Sequence, residues 1–400
     1  MPTPLKLIAI IALLQPLYLA MLMATDFIAP PQARMLHLQE QPPILINQES
    51  ECGAQSIGFE PGASPLRNAI VAPRPMPKMT AMAACEVLHR TAIGDLSNII
   101  WAPLDRYWHG YRVVIDPLTA WFSWRSTQFI SLALLASALI YFAWASAELI
   151  GWAATIALLV PTLAFSDLRW LWTQTYCVPP TCVIFAGSGW FARRINKGSD
   201  LLIAAAVLGS IFNFLDLLTN PPWQPMLLAF FMLAAGKGLK GAAAVLAGWL
   251  AGYALTWATK WGIAVIYGGD WNYIWQTIVF RIDGSYEQVV DHRPFASSVK
   301  VIGRLAEQSR YWWSVALLIP LLIVIAPRPD LRRWALLASP ALIPFVWFEV
   351  LRNHTQIHAW FAYRPAATSI GIVLAAWALA GRKRVPVPAH PLTEHYSPVP

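Results

Sequence analysis

TQFISLALLASALIYFAWAS, residues 127–146, runs for twenty positions without a charged side chain. Wound as a helix at 1.5 Å per residue, it matches the roughly 30 Å hydrocarbon thickness of a bilayer. Working outward, comparable apolar runs lie at 5–25, 149–165, 176–192, 201–218, 223–236, 241–266, 312–326, 334–351 and 365–380, which makes ten. The runs at 223–236 and 312–326 are short for a full crossing.

The composition agrees. Hydrophobic residues make up 57% of the 400 and charged residues 12%, and mean hydropathy is +0.49. A soluble domain carries about twice that charge. A membrane β-barrel would show short alternating segments instead of these runs. The sequence therefore predicts an all-α, polytopic helical membrane protein with about ten transmembrane helices. Its 21 Trp residues suit the boundary between hydrocarbon and water. The net charge of +8 and the pI near 9.4 do not point to nucleic acid, because the basic residues are scattered through loops and form no stripe.

The basic residues report topology. Lys6, Arg193, Arg194, Lys197, Lys237, Lys240, Arg328, Arg332, Arg333, Arg382, Lys383 and Arg384 fall on one side, and the short loops opposite hold Arg169, Arg352 and Arg364. By the positive-inside rule the first set is cytoplasmic, and so are both termini. The chain then divides into a first transmembrane helix (1–25), a periplasmic loop with interfacial helices (26–126) and a transmembrane bundle (127–266). A second periplasmic loop (267–311), a second set of transmembrane helices (312–380) and a Pro-rich, disordered cytoplasmic tail (381–400) follow. Lys6 ahead of the first apolar run has a signal-peptide look, but no A-x-A site follows, so the run reads as an anchor. All four cysteines fall outside or at outer span ends. An oxidising compartment allows Cys52 to pair with Cys85 and Cys177 with Cys182, and free thiols fit equally well.

On this topology nearly every unusual polar group maps to the periplasmic end. Asp95, Asp105, Arg106 and His109 precede the second span. Asp216 ends the fifth, Lys260 lies in the outer half of the seventh, and Arg281 begins the second outer loop. Glu349 ends the ninth span, and NHTQIHAWFAYR (353–364) follows with Asn353, His354, His358 and Arg364. Loop residues are polar in any protein, but Asp216, Lys260 and Glu349 sit inside apolar runs, where ionisable groups are costly and mark function. His354 and His358, at i and i+4, share one face of a helix. They suit hydrogen bonds to a phosphate or sugar, or plain interfacial roles. A divalent cation would need further ligands such as Asp216 or Glu349. Arg106 and Arg364 suit bidentate phosphate contact or snorkelling to headgroups. Lys260, between Trp257 and Trp261, suits a lipid phosphate or a carboxylate partner.

Four segments, RYWHGYRVVIDPL (106–118), GSIFNFLDLLTNP (209–221), GWLAGYALTWATKW (248–261) and RNHTQIHAWFAYR (352–364), resemble in order and content the pattern of an uncharacterised family of bacterial polytopic membrane proteins. The match spans roughly residues 90–370. The arrangement of a first span, a large outer loop and many later spans is in turn similar to the GT-C class of glycosyltransferases. That resemblance implies a polyprenyl-phosphate-linked sugar donor, an envelope glycan or protein acceptor, and chemistry at the periplasmic face of the inner membrane. It implies a carboxylate base, by position Asp95 and then Asp105, and cations on the lipid phosphate: Arg106, Lys260, Arg281 and Arg364. Asp95 stands farther from the first span than the acidic motif of that class. His109, Asp216, Glu349, Asn353, His354 and His358 fall in the same expected substrate site. The alternative is a transporter or flippase of a lipid-linked or anionic substrate, which would need a polar path across the whole bilayer. The inner halves of the spans read as dry.

Overall fold

The computed structural model describes residues 3–29, 108, 110–171, 175–197, 200–216, 218–266, 271–284, 290–307, 312–326 and 329–381. Asp95, Asp105, Arg106, His109, Cys52 and Cys85 lie outside the described residues. Among the described residues every element is helical.

The longer helices are α1 (Thr3–Ile28), α2 (Arg112–Trp121), α3 (Trp124–Ile150) and α4 (Trp152–Phe165). A continuous winding, α5, joins Val178–Cys182, a π turn at Val183–Gly187 and Ser188–Arg194. Then come α6 (Leu201–Leu215), α7 (Trp223–Ala234), α8 (Gly238–Ile266), α9 (Trp271–Asp283), α10 (Ala296–Ala306) and α11 (Trp312–Ile325). The chain closes with α12 (Leu331–Ala338), α13 (Ile343–Val350), α14 (Arg352–Ile357), α15 (Ala359–Ala362) and α16 (Arg364–Ala380).

Most of each apolar run falls on helix, but the runs at 149–165, 176–192 and 334–351 are interrupted or change winding. The run at 334–351 breaks into α12, a 3-10 turn at Ser339–Leu342 and α13. Pro340 and Pro344 explain the break, because each removes an N–H and crowds the preceding turn. Three segments are long and apolar enough to cross a membrane by length and composition: Pro4–Leu22, Arg125–Ile150 and Gly238–Ile263. Their outer faces stay bare, with Leu13 71% and Ile140 70% exposed, and Val324 on the shorter α11 is 78% exposed. Continuous apolar surface of this kind suits lipid better than water.

α7 is the centre. Every residue from Trp223 to Leu233 is buried, the pattern of a helix enclosed on all sides. Its one amide, Gln224, is closed off by protein: Nε2 donates to the Val183 carbonyl (2.6 Å) and Oε1 accepts from Trp249 Nε1 (2.8 Å). Val183 opens the π turn, where the regular helical ladder is interrupted.

Backbone contacts fix the helix directions. A Cβ on Gly248 would meet Leu202 O at 2.7 Å, and one on Gly252 would meet Ala206 O at 1.9 Å. Ser210 Oγ bonds Thr256 Oγ1 at 2.6 Å. All three pairs keep the same sequence offset, so α6 and α8 run parallel, with the small residues of 248–256 letting the backbones touch. α1 joins the same face through Gln15 Nε2 to Thr256 Oγ1 (3.3 Å) and Tyr18 OH with Ser210 Oγ (2.9 Å). α4 and α16 are antiparallel: Thr162 bonds Thr368 (2.9 Å), while a Cβ on Gly371 would meet Leu158 O at 2.2 Å. Trp223 Nε1 also donates to Thr368 Oγ1 (2.8 Å). The C-terminal ends of α4 and α6 therefore share one end of the bundle with the C-terminal half of α8 and the N-terminal ends of α7 and α16.

Candidate functional site

The shared end is where most of the unusual polar residues stand. Asp216 closes α6 and is 3% exposed. Its carboxylate turns into the next bend, accepting from the Thr219 backbone N–H (2.9 Å) and from the Thr219 hydroxyl. Within that bend Leu218 is held in the left-handed region, φ 64°. A non-glycine residue there is strained by about 1–3 kcal/mol and persists only where its surroundings hold it. Here the Leu218 carbonyl accepts from His354 Nε2 at 2.9 Å.

With Nε2–H committed to that carbonyl, Nδ1 of His354 is the acceptor, and Arg281 Nη1 reaches it at 3.0 Å. The same nitrogen lies 3.4 Å from His358 Nε2. The two histidine rings are 4.7 Å apart, as their spacing implied, although α14 ends at Ile357 and His358 itself has left helical geometry (φ −106°, ψ 21°). A guanidinium thus stands where a metal shared by the two rings would stand. Among the described residues no three His, Cys, Asp or Glu side chains gather as a metal site would require. Arg281 belongs to the last turn of α9 and not to an irregular loop.

Arg364, fully buried, starts α16, with Pro365 in the first turn, where its missing N–H costs nothing. Cys177, 1% exposed, closes the 3-10 turn Thr175–Cys177. Cys177 and Cys182 are both free, so the pairing open to them in sequence is not made. Cys177 is the N-cap of the short helix Val178–Cys182, which Cys182 ends.

Lys260 is 1% exposed and places Nζ 5.8 Å from the centre of the Trp108 ring. Trp108 is fixed by its Nε1, which donates to Thr256 O (3.0 Å), and by edge contacts with Tyr18 and Phe214. Gly110 N donates to Phe214 O (2.8 Å), and any Cβ there would strike Phe214 at 2.5 Å. Trp108 and Gly110 are therefore docked on the C-terminal end of α6 and the C-terminal half of α8, and Phe214 is two residues of chain from Asp216. Trp108, Tyr111 and Tyr363 are each at most 2% exposed.

Two of the sequence candidates anchor helices. Glu349 Oε1 accepts from Ser298 N (2.8 Å) and Ser298 Oγ (2.7 Å), a carboxylate at the N-terminus of α10. Asn353 Nδ2 donates to Phe280 O (2.6 Å) at the end of α9. Sequence reasoning passed over Gln356, which clamps the chain at Asp291 from both sides: Oε1 accepts from Asp291 N (2.9 Å) and Nε2 donates to Asp291 O (2.8 Å). It also passed over the buried Arg112–Asp116 pair (2.9 Å, 4% and 1% exposed), although the i,i+4 spacing signals it.

Outside the helices, Asp291 is bonded by the Arg293 side chain and backbone N–H, and these hold its carboxyl down at about 2. Between the Leu218–Pro222 bend, Trp347, His354 and Pro365 runs a narrow cleft of about 10 Å³, room for roughly one water. Deeper in the bundle, Gln15, Tyr18, Ser210 and Thr256 bond one another. No protein-family model, characterised protein or solved structure matches this chain.

Proposed function

We propose that the chain is a ten-span membrane enzyme of the bacterial inner membrane, a glycosyltransferase that draws on a polyprenyl-phosphate-linked sugar at its periplasmic face. The observation that carries this reading is that Lys260 and Arg364, both buried, stand at the same end of the bundle as the Arg281–His354 contact. Cations held in a low-dielectric wall are what a departing lipid phosphate requires where charge develops. Arg281 fits the part well, because it is half-buried and already aimed by two histidines. The base toward the acceptor hydroxyl is assigned to Asp95 or Asp105. Asp105 stands three residues before Trp108 in sequence, and Trp108 is fixed against Lys260. Asp216 is a poorer base, since both its oxygens already accept from Thr219. The interior polar groups favour an enzyme over a carrier, because those between α1, α6 and α8 pair with one another and do not open a path.

The test is genetic and chemical. Envelope glycans are compared among a deletion strain, the wild type and a strain carrying Asp95→Asn with Asp105→Asn. The double variant, if inserted at wild-type level, is expected to reproduce the deletion profile. A deletion phenotype that the double variant fully complements sinks the catalytic assignment. Substrate flux into liposomes without any glycosyl transfer would favour the carrier instead.

A further inference from the structure

The opposite end of the bundle holds a second polar site. α3 ends at Ile150 and α4 begins at Trp152, so Glu148 lies about one helix length from the Thr162–Thr368 contact near Arg364. There Ala145, Glu148, Leu149, Ala192, Arg193, Asn196 and Lys197 line an open cleft of about 160 Å³. That is many times the roughly 10–15 Å³ that one water needs. Arg193 is built into the wall. Its Nε is 2.9 Å from Glu148 Oε2, and its guanidinium lies 4.3 Å over the Trp144 ring. Arg194 stacks on Trp190 at 4.5 Å. The cleft thus presents Arg193, Lys197 and the Asn196 amide against a single carboxylate, between helices whose outer faces are apolar.

We propose that this cleft holds the phosphate of an anionic membrane lipid. Three features of the cleft choose that ligand. Two cations against one anion leave net positive charge. A guanidinium steered by a carboxylate and an indole is aimed, which suits phosphate better than a loose lysine does. The apolar neighbours, among them Ile140 at 70% exposure and Trp144 at 44%, give acyl chains a surface to follow. Basic pockets between spanning helices take headgroups of this kind. The site is independent of the glycosyl-transfer reading, because none of its residues belongs to the end that holds Arg364.

The experiment is native mass spectrometry of the full chain released from phosphatidylcholine nanodiscs doped with phosphatidylglycerol. Wild type is expected to retain phosphatidylglycerol over phosphatidylcholine, and Arg193→Gln with Lys197→Gln is expected to lower that preference by about fivefold or more. Glu148→Gln removes the competing anion and should raise retention, so a poorly folding double variant still leaves the proposal open to refutation. Lys240→Gln, on another helix, should change nothing. Equal retention of the two lipids by wild type overturns the proposal, as does an unchanged preference in the arginine–lysine variant. Protection of the cleft by inorganic phosphate alone, with no lipid preference, overturns the lipid assignment.

Discussion

Arg281 and His354, 73 positions apart in sequence, are joined by a 3.0 Å contact from guanidinium to Nδ1, while the other ring nitrogen of His354 holds the strained carbonyl of Leu218. α9, α14 and the bend after α6 are thereby locked through one imidazole. His354→Ala would leave a buried carbonyl and a guanidinium without this partner. A loss of about 1–3 kcal/mol is expected from the unsatisfied carbonyl, read as a lower melting temperature in detergent. His354→Gln, with an amide able to meet one partner, should recover part of the loss. Equal stability of His354→Ala and wild type would refute the lock.

The α6–α8 contact makes a sharp pair of substitutions. Gly252→Ala puts a methyl 1.9 Å from the Ala206 carbonyl, and backbone cannot move aside cheaply, so destabilisation of roughly 1–3 kcal/mol or more is expected. Gly262→Ala, ten residues later in the same helix, meets nothing within 4 Å. There the loss of glycine's freedom in the unfolded chain should stabilise by about 0.5–1 kcal/mol. Thermal unfolding of both variants checks the opposite signs, and two losses of similar size would contradict the parallel packing.

Both directions were partly legible in sequence. The charge count placed Asp216 and Lys260 at the same end, but the close backbone contact made by the small residues of 248–256 was not read from the sequence. The run at 127–146 lies wholly within its helix, Trp124–Ile150, which extends past it at both ends. Partners were not legible. Nothing in RNHTQIHAW says that Gln356 will clamp Asp291, or that Glu349 will cap α10, because those bonds depend on how short helices fold back over the end of the bundle. The break at Pro340 was hidden because the apolar run continues straight through it, so hydropathy outweighed the proline signal.

The buried pair Arg112–Asp116 should behave asymmetrically. Asp116→Ala removes a carboxylate partner from an arginine that is 3% exposed, and a loss of about 3–5 kcal/mol is expected. Arg112→Met combined with Asp116→Leu removes both charges and should be milder than either single change. A double variant worse than both singles, measured by chemical unfolding in micelles, would contradict this.

Acid should loosen the segment between α9 and α10. Asp291 has its carboxyl held below the ordinary 3.8 by Arg293, so its contribution is present above about pH 4 and lost as pH falls toward 2. The stability difference between wild type and Asp291→Asn should follow that window and vanish at its acid end. A difference that persists unchanged at pH 2 would show that the pair does not act through this titration.

The most direct test of the central claim is binding of undecaprenyl phosphate to the purified full chain, compared with undecaprenol, which lacks the phosphate. Wild type should prefer the phosphate, and Arg281→Gln should weaken that preference by about tenfold or more, as expected when a charge-assisted hydrogen bond of roughly 1.5–3 kcal/mol is lost. Arg193→Gln, at the far end, should leave it intact. Equal binding of phosphate and alcohol by wild type, or an undiminished preference in Arg281→Gln, would contradict a lipid-phosphate site at the Arg281–His354 end.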